Sequence, residues 1–334
     1  NSRILSHLVA SPRICEAAVS YINWRVFGFF FSFVAIMFRA FFVGTTQTKT
    51  LTLNSIVMVT SNVVFNYILV FGKLGFPALG IAGAAIGSSL AELVSMLFII
   101  YTTRKVDCAK YGLNQLVSFR WTELKRIMSV SLWTMIQNAV SISTWFLFFI
   151  FIEHLGERSL AITNIVRNVS SIPFMTITAF ASTCSSLVSN LIGSGEARYV
   201  MPTIRQHVRL CTCIVWPVIL LIACLPTYVL RIYTDMPDLV EAAVPTLWVL
   251  CSSYLFQCAG FIFFQSVSGT GDTRSAFLLE IVALTCYLIF IVTVILLLKM
   301  DVAVCWFAEH VYAGAIGLLS YLYLKKGSWQ KKQI

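Results

Sequence analysis

The chain has 334 residues, 58% of them hydrophobic and only 11% charged, with a mean hydropathy of +0.85 and a formal net charge of +10. Soluble domains carry about a quarter charged residues, so this composition excludes them and indicates a polytopic membrane protein. The ten cysteines stand mostly alone in apolar runs and the four histidines lie far apart, which argues against a disulfide scaffold and gives no metal-ligand spacing.

Apolar stretches of about 20 residues predict nine transmembrane helices, at roughly 21–43, 54–72, 80–101, 127–152, 160–192, 208–230, 242–266, 277–298 and 302–324. The first contains Arg25 and the Phe-rich stretch 27–33, and ends near Arg39, close enough to the interface to snorkel. The second carries Asn62 and Asn66, four residues apart and so on one face. Two carboxamides at membrane depth need partners or water, so this stripe is expected to face the bundle interior, either as cavity or cation ligands or in interhelical hydrogen bonds. Gly72, Gly75, Pro77, Gly80 and Gly83 then mark a tight turn and close helix packing. On the third helix Glu92 lies near mid-membrane. A charge there costs roughly 2.5–3.5 kcal/mol, which makes Glu92 the leading acidic candidate in this part of the chain.

The fourth helix offers Gln137, Asn138, Trp145 and the Phe-rich stretch 146–151, and the fifth offers Asn164, Arg167, Pro173 and Phe174. Arg167 is too deep to snorkel easily, so it is expected to hold an anionic group or a carboxylate such as Glu280 in a central cavity. Pro217 and Pro226 mark kinks in the sixth helix, and Gln257 and Phe261 sit in the seventh. Glu280 on the eighth and Glu309 with His310 on the ninth are groups able to take and release a proton. Trp145, Phe174 and Phe261 are ring faces available to flat cations.

The loop after the first helix, Gly44-Thr45-Thr46-Gln47-Thr48-Lys49-Thr50, recurs 225 positions later as Gly269-Thr270-Gly271-Asp272-Thr273-Arg274-Ser275. Two homologous bundles are therefore expected, related as parallel repeats. Subtracting the offset predicts three further helices over roughly 100 residues before Asn1, so the chain is expected to be part of a twelve-helix, all-α protein with six plus six helices. On this reading 1–104 is the last part of a first lobe, 105–126 an inter-lobe loop, 127–324 a second lobe and 325–334 a basic tail. The loop carries Arg104, Lys105, Lys110, Arg120, Lys125 and Arg126, and the tail Lys325, Lys326, Lys331 and Lys332. The positive-inside rule places both in the cytoplasm of a multi-pass plasma (inner) membrane protein. Basic residues spread over short loops do not make a nucleic-acid surface.

The stretch from Asn62 through Asn66, Gly72, Gly75, Pro77, Gly80 and Gly83 resembles the fifth and sixth helices of the MATE family, the multidrug and toxic compound extrusion transporters. Residues 21–25, 39–50, 187–195 and 268–274 resemble further signatures of the same family, so the likeness covers essentially the whole chain. The resemblance implies two six-helix lobes, alternating access, and export of organic, mostly cationic, small molecules by a monomer in exchange for Na+ or H+, with no other cofactor. It also implies that Asn66 stands where several members have a cation-binding aspartate. Gln137-Asn138 and Gln257 stand where many members carry a glutamate and an aspartate. By that correspondence the second-lobe cation site is neutral here and coupling falls to the first lobe. The same superfamily contains flippases of lipid-linked or polysaccharide intermediates, to which Arg25, Arg39 and Arg167 would be suited. A membrane-embedded enzyme would need a catalytic constellation, and the sequence contains no nucleophile elbow or phosphate loop.

Overall fold

The computed structural model describes residues 12–45, 47–104, 106, 111, 119–327 and 329, and every regular element among them is helical. Nine helical segments among these residues are long and apolar enough to cross a membrane. They fall into two compact units, residues 1–119 and 120–334.

The first unit contains α1 (Pro12–Gly44), α2 (Thr48–Phe71) and α3 (Gly80–Thr103). α3 packs along both neighbours, which scarcely touch each other. Its sequence explains why: Gly83, Ala85, Gly87, Ser89, Ala91 and Ser95 are all buried, so small residues line the faces turned to α1 and α2 and let the backbones close in. A methyl group on Gly83 would lie 2.5 Å from the Leu69 carbonyl oxygen of α2. Gly72 caps α2 in the left-handed conformation, at φ 66°.

The second unit contains α4 (Trp121–Glu153), α5 (Glu157–Gly193), α6 (Val200–Cys224), the short α7 (Pro226–Arg231), α8 (Pro237–Gly269), α9 (Thr273–Ile291), α10 (Val302–Cys305) and α11 (Ala308–Lys326). A wide-turned segment, Val292–Leu297, prolongs α9. α8 is the hub, packed against α5, α6 and α11, while α9 bridges α11 and α4. Its buried face includes Leu247, Leu250, Tyr254, Cys258, Ile262 and Val267.

Backbone geometry carries the repeat further than the residues do. α1 and α8 both start and end 225 positions apart, and the loop residues Gln47 and Asp272 have nearly the same angles, φ/ψ −86°/63° and −87°/65°. The two non-glycine residues with positive φ among the described residues, Leu74 (57°) and Lys299 (48°), occupy the same place in the repeat. Such backbone is costly outside glycine, so its recurrence with unrelated side chains shows that the turn geometry belongs to the bundle.

Several expected boundaries move. Helix α4 begins at Trp121, so 121–126 is helical where a loop was expected; at 33 residues α4 extends to about 50 Å, longer than the hydrocarbon layer, and Glu123 sits favourably in its first turn. Most of 105–118 and of the tail lies outside the described residues. Pro226 does more than kink its helix: it starts a separate one, where its missing N–H costs nothing. Pro173 and Pro217 lie within continuous helices. The last predicted segment is interrupted by a turn at Trp306 and Phe307.

Candidate functional site

In the first unit Glu92 already has a cation. Arg25 of α1 donates to both of its oxygens, Nη1 to Oε2 at 2.7 Å and Nη2 to Oε1 at 2.5 Å, in a two-pronged pair. Gly28, one turn beyond Arg25, makes room: a Cβ there would meet Arg25 Nη1 and Glu92 Oε2 at 2.5 Å. The pair is 24% and 15% exposed, so removing one partner is expected to cost about 1–3 kcal/mol, below the range for fully buried pairs. Arg25→Leu and Glu92→Leu should each lower the unfolding temperature, and the double variant should recover most of the loss. A double variant no more stable than the worse single one would show that the pair is not coupled. Arg39 is exposed.

The asparagine stripe faces α3. Asn66 Nδ2 donates to Asn62 Oδ1 at 2.9 Å, and Asn62 Nδ2 donates to Ser88 Oγ at 3.2 Å. Asn66 Oδ1 is buried without a protein donor, beside the space left by Gly87. The stripe therefore forms interhelical hydrogen bonds and still leaves one acceptor open.

The second unit gathers the denser polar group. Glu280 of α9 is only 3% exposed. Its Oε1 accepts hydrogen bonds from Ser141 Oγ of α4 and, at 3.2 Å, from Tyr312 OH of α11. Glu309 of α11 accepts from Gln257 Nε2 of α8 at 3.4 Å, and Gln257 also donates to Ser253. Tyr312, which donates to Glu280, lies three residues along α11 from Glu309, and its ring stands 6.1 Å from that of Tyr287 of α9. Among the described residues Arg25–Glu92 is the only ion pair, so neither Glu280 nor Glu309 is compensated by a cation.

The sequence candidates thus separate. Gln137 and Glu280 meet at Ser141 and Gln257 bonds Glu309, whereas Asn138 is exposed and Asn164 is half-buried. Arg167 does not hold Glu280; its guanidinium carbon stacks 5.8 Å from the Trp145 ring centre and 5.3 Å from that of Phe149. Gln257 stands beside the Glu309 carboxyl group, and Gln137 lies one turn from Ser141, which bonds Glu280. Ser141, Tyr312 and Tyr287 were not singled out by sequence, although helical spacing contains the signal: Ser141 is one turn from Gln137, Tyr312 one turn from Glu309 and Tyr287 two turns from Glu280. Aromatic rings adjoin the cluster, with Phe174 against Phe261 at 5.3 Å and Phe261 against Tyr312 at 6.0 Å.

The MatE family model matches residues 1–68 and 134–296. The chain belongs to the MatE family. Among its relatives, a probable multidrug resistance protein NorM of Thermotoga maritima is 25% identical over 309 residues, covering 91% of this chain and 65% of the relative. A protein of the same description from Photorhabdus laumondii is 24% identical, covering 83% of this chain and 61% of the relative. The chain therefore spans about two thirds of the length of these MatE relatives. A multidrug resistance MATE transporter of the MOP superfamily, solved in an outward-facing conformation, superposes over 99% of this chain and 74% of its own with a TM-score of 0.87 at 15% identity. A MOP superfamily transporter from Pyrococcus furiosus, described as having a binding pocket of reversed polarity, superposes with a TM-score of 0.84 at 16% identity. These likenesses establish the MatE fold for the described helices.

Proposed function

We propose that the protein exports organic small molecules across a membrane by alternating access, exchanging them for an inward-moving ion taken up at the Glu280 cluster. The observation that carries this reading is a carboxyl group 3% exposed, reached from two neighbouring helices and, among the described residues, matched by no cation. A buried uncompensated acid in a membrane is expensive and is the group whose charge can change during a transport cycle. Membership of the MatE family and the multidrug resistance names of its relatives support the cargo class. Rings at Trp145, Phe174 and Phe261 supply faces for flat organic cations. Lys325 and Lys326 at the end of α11 support a cytoplasmic C-terminus by the positive-inside rule, in a monomer of the inner or plasma membrane. The flippase alternative loses much of its support, since Arg25 is neutralised by Glu92 and Arg39 is exposed.

The test is whole-cell tolerance and efflux across a panel of cationic dyes and drugs, with membrane insertion of the protein verified. Producing cells are expected to retain less dye and to tolerate higher doses. Unchanged retention across the whole panel, with the protein inserted, would remove the export reading.

A further inference from the structure

Arg167 lies ten residues into α5, about 15 Å along the helix from Glu157 at its start. No hydrogen bond or ion pair among the described residues uses its guanidinium. The two acids at membrane depth in this unit are bonded elsewhere, Glu280 to Ser141 and Tyr312, and Glu309 to Gln257. What the guanidinium does meet is aromatic: its carbon stands 5.8 Å from the Trp145 ring centre and 5.3 Å from that of Phe149, both on α4. Two ring contacts offset only part of the cost of carrying this charge to that depth, and they leave its N–H groups without acceptors.

The surrounding face of α5 is polar. Asn164, Arg167, Asn168 and Ser171 follow the i, i+3, i+4, i+7 spacing that lines one side of a helix, and each is half-buried or exposed. Neither asparagine carboxamide has a hydrogen-bond partner among the described residues. Packing does not account for these positions, because the buried side of α5 is the opposite one, formed by Ile162, Ile165, Val166, Val169 and Pro173. Phe174, two turns beyond Arg167, is 41% exposed and stands edge-on to Phe261 at 5.3 Å.

A guanidinium anchored on two rings, with its N–H groups free, suits a planar oxyanion. Its fork matches the two oxygens of a carboxylate, and carboxamide N–H groups beside it donate to the same charge. A cationic group is disfavoured at this place, because the Trp145 ring already carries the chain's own positive charge, which repels a second one at contact distance. The exposed Phe174 ring, about 10 Å along the helix, offers a surface to an aromatic body attached to the anion.

We propose that Arg167 anchors an acidic group of the cargo, so that the molecules carried include aromatic carboxylates, held in two prongs at Arg167 beside Asn164 and Asn168 with the ring towards Phe174. That such molecules are cargo rests on the export reading; that an anion binds rests on the side chains alone. A lipid phosphate offers the same chemistry from another source, and the test separates the two.

Three naphthalene probes are titrated against the full chain in phosphatidylcholine nanodiscs: naphthoate, its uncharged methyl ester and naphthylmethylammonium. The unaltered protein is expected to bind naphthoate about tenfold or more tighter than the ester, the scale of a hydrogen bond to a charged group, and the ammonium more weakly than either. Arg167→Gln should erase the advantage of naphthoate and leave the ester unchanged, and Arg167→Lys, which keeps the charge without the fork, should retain part of it. Equal binding of naphthoate and ester by the unaltered protein overturns the proposal whether or not the variants fold. So does a naphthoate preference that survives in Arg167→Gln. Replacing part of the lipid with phosphatidylglycerol supplies the other arm: naphthoate displaced by that lipid, and the lipid retained by the unaltered protein but not by Arg167→Gln, would assign the guanidinium to a lipid phosphate and overturn the cargo proposal. Naphthoate bound as expected by a protein that exports nothing from cells would remove the export reading and leave the anion site, whereas dye export without any naphthoate preference would remove the anion site alone.

Discussion

Glu280→Gln is expected to slow gradient-driven efflux about tenfold or more, equivalent to about 1.4 kcal/mol or more, with little loss of folded protein. Glutamine has nearly the shape of glutamate, and its carbonyl oxygen can accept the same hydrogen bonds from Ser141 and Tyr312. It cannot change charge. A transporter moves between states only by as much free energy as its ligands distinguish them, so a site fixed as neutral removes the driving term while leaving the bundle intact. The measurement is dye efflux from proteoliposomes under an imposed gradient, with and without the gradient. The variant should lose the difference between the two conditions and keep any downhill leak. Ser141→Ala, which removes one donor to the carboxyl group but leaves its charge free to change, should have a smaller effect. Efflux by Glu280→Gln that still follows the gradient would place coupling elsewhere in the chain.

The architecture was readable from sequence because two signals are strong in a membrane: apolar length gives helices, and the repeated Gly/Thr loop gives their grouping. Boundaries were less readable, since polar helical turns such as Trp121-Thr122-Glu123 protrude beyond the apolar layer and look like loop residues. The candidate site was half legible. Rarity of charge picked out both Glu92 and Glu280, but rarity cannot say which acid has a counter-ion. That depends on α1 and α3 bringing residues 67 positions apart into contact through Gly28 and Ser89, a tertiary fact without a local pattern. Likewise, single-sequence spacing shows residues on one helix and not across two, so it could not place Gln257 beside Glu309 or Ser141 beside Glu280. Tyr312 is set apart from the chain's other aromatic residues only by its hydroxyl group, which donates to Glu280 across two helices.

The crossing of α8 and α11 sets the geometry of the second acid, and Gly260 sets the crossing. A Cβ at Gly260 would lie 2.6 Å from the Ala313 carbonyl oxygen, and one at Gly317 would lie 2.9 Å from Gly260 Cα. Both obstacles are backbone, so no rotamer change relieves them, and the helices must part. Gly260→Val is therefore expected to cost about 3 kcal/mol, the upper end for overpacking a core. It should also carry Gln257, three residues earlier, away from Glu309, so that efflux falls even in protein that remains folded. Gly314→Ala is the matched comparison, on the same α11 helix with nothing within 4 Å of the new methyl group. There alanine's helix preference over glycine should stabilise by up to about 1 kcal/mol. Thermal unfolding in detergent reads both variants. Glycine content alone would predict the same sign for each, whereas the close crossing predicts opposite signs. Equal shifts for Gly260→Val and Gly314→Ala would mean that α8 and α11 do not meet at Gly260, and with it the placement of Gln257 against Glu309 would fail.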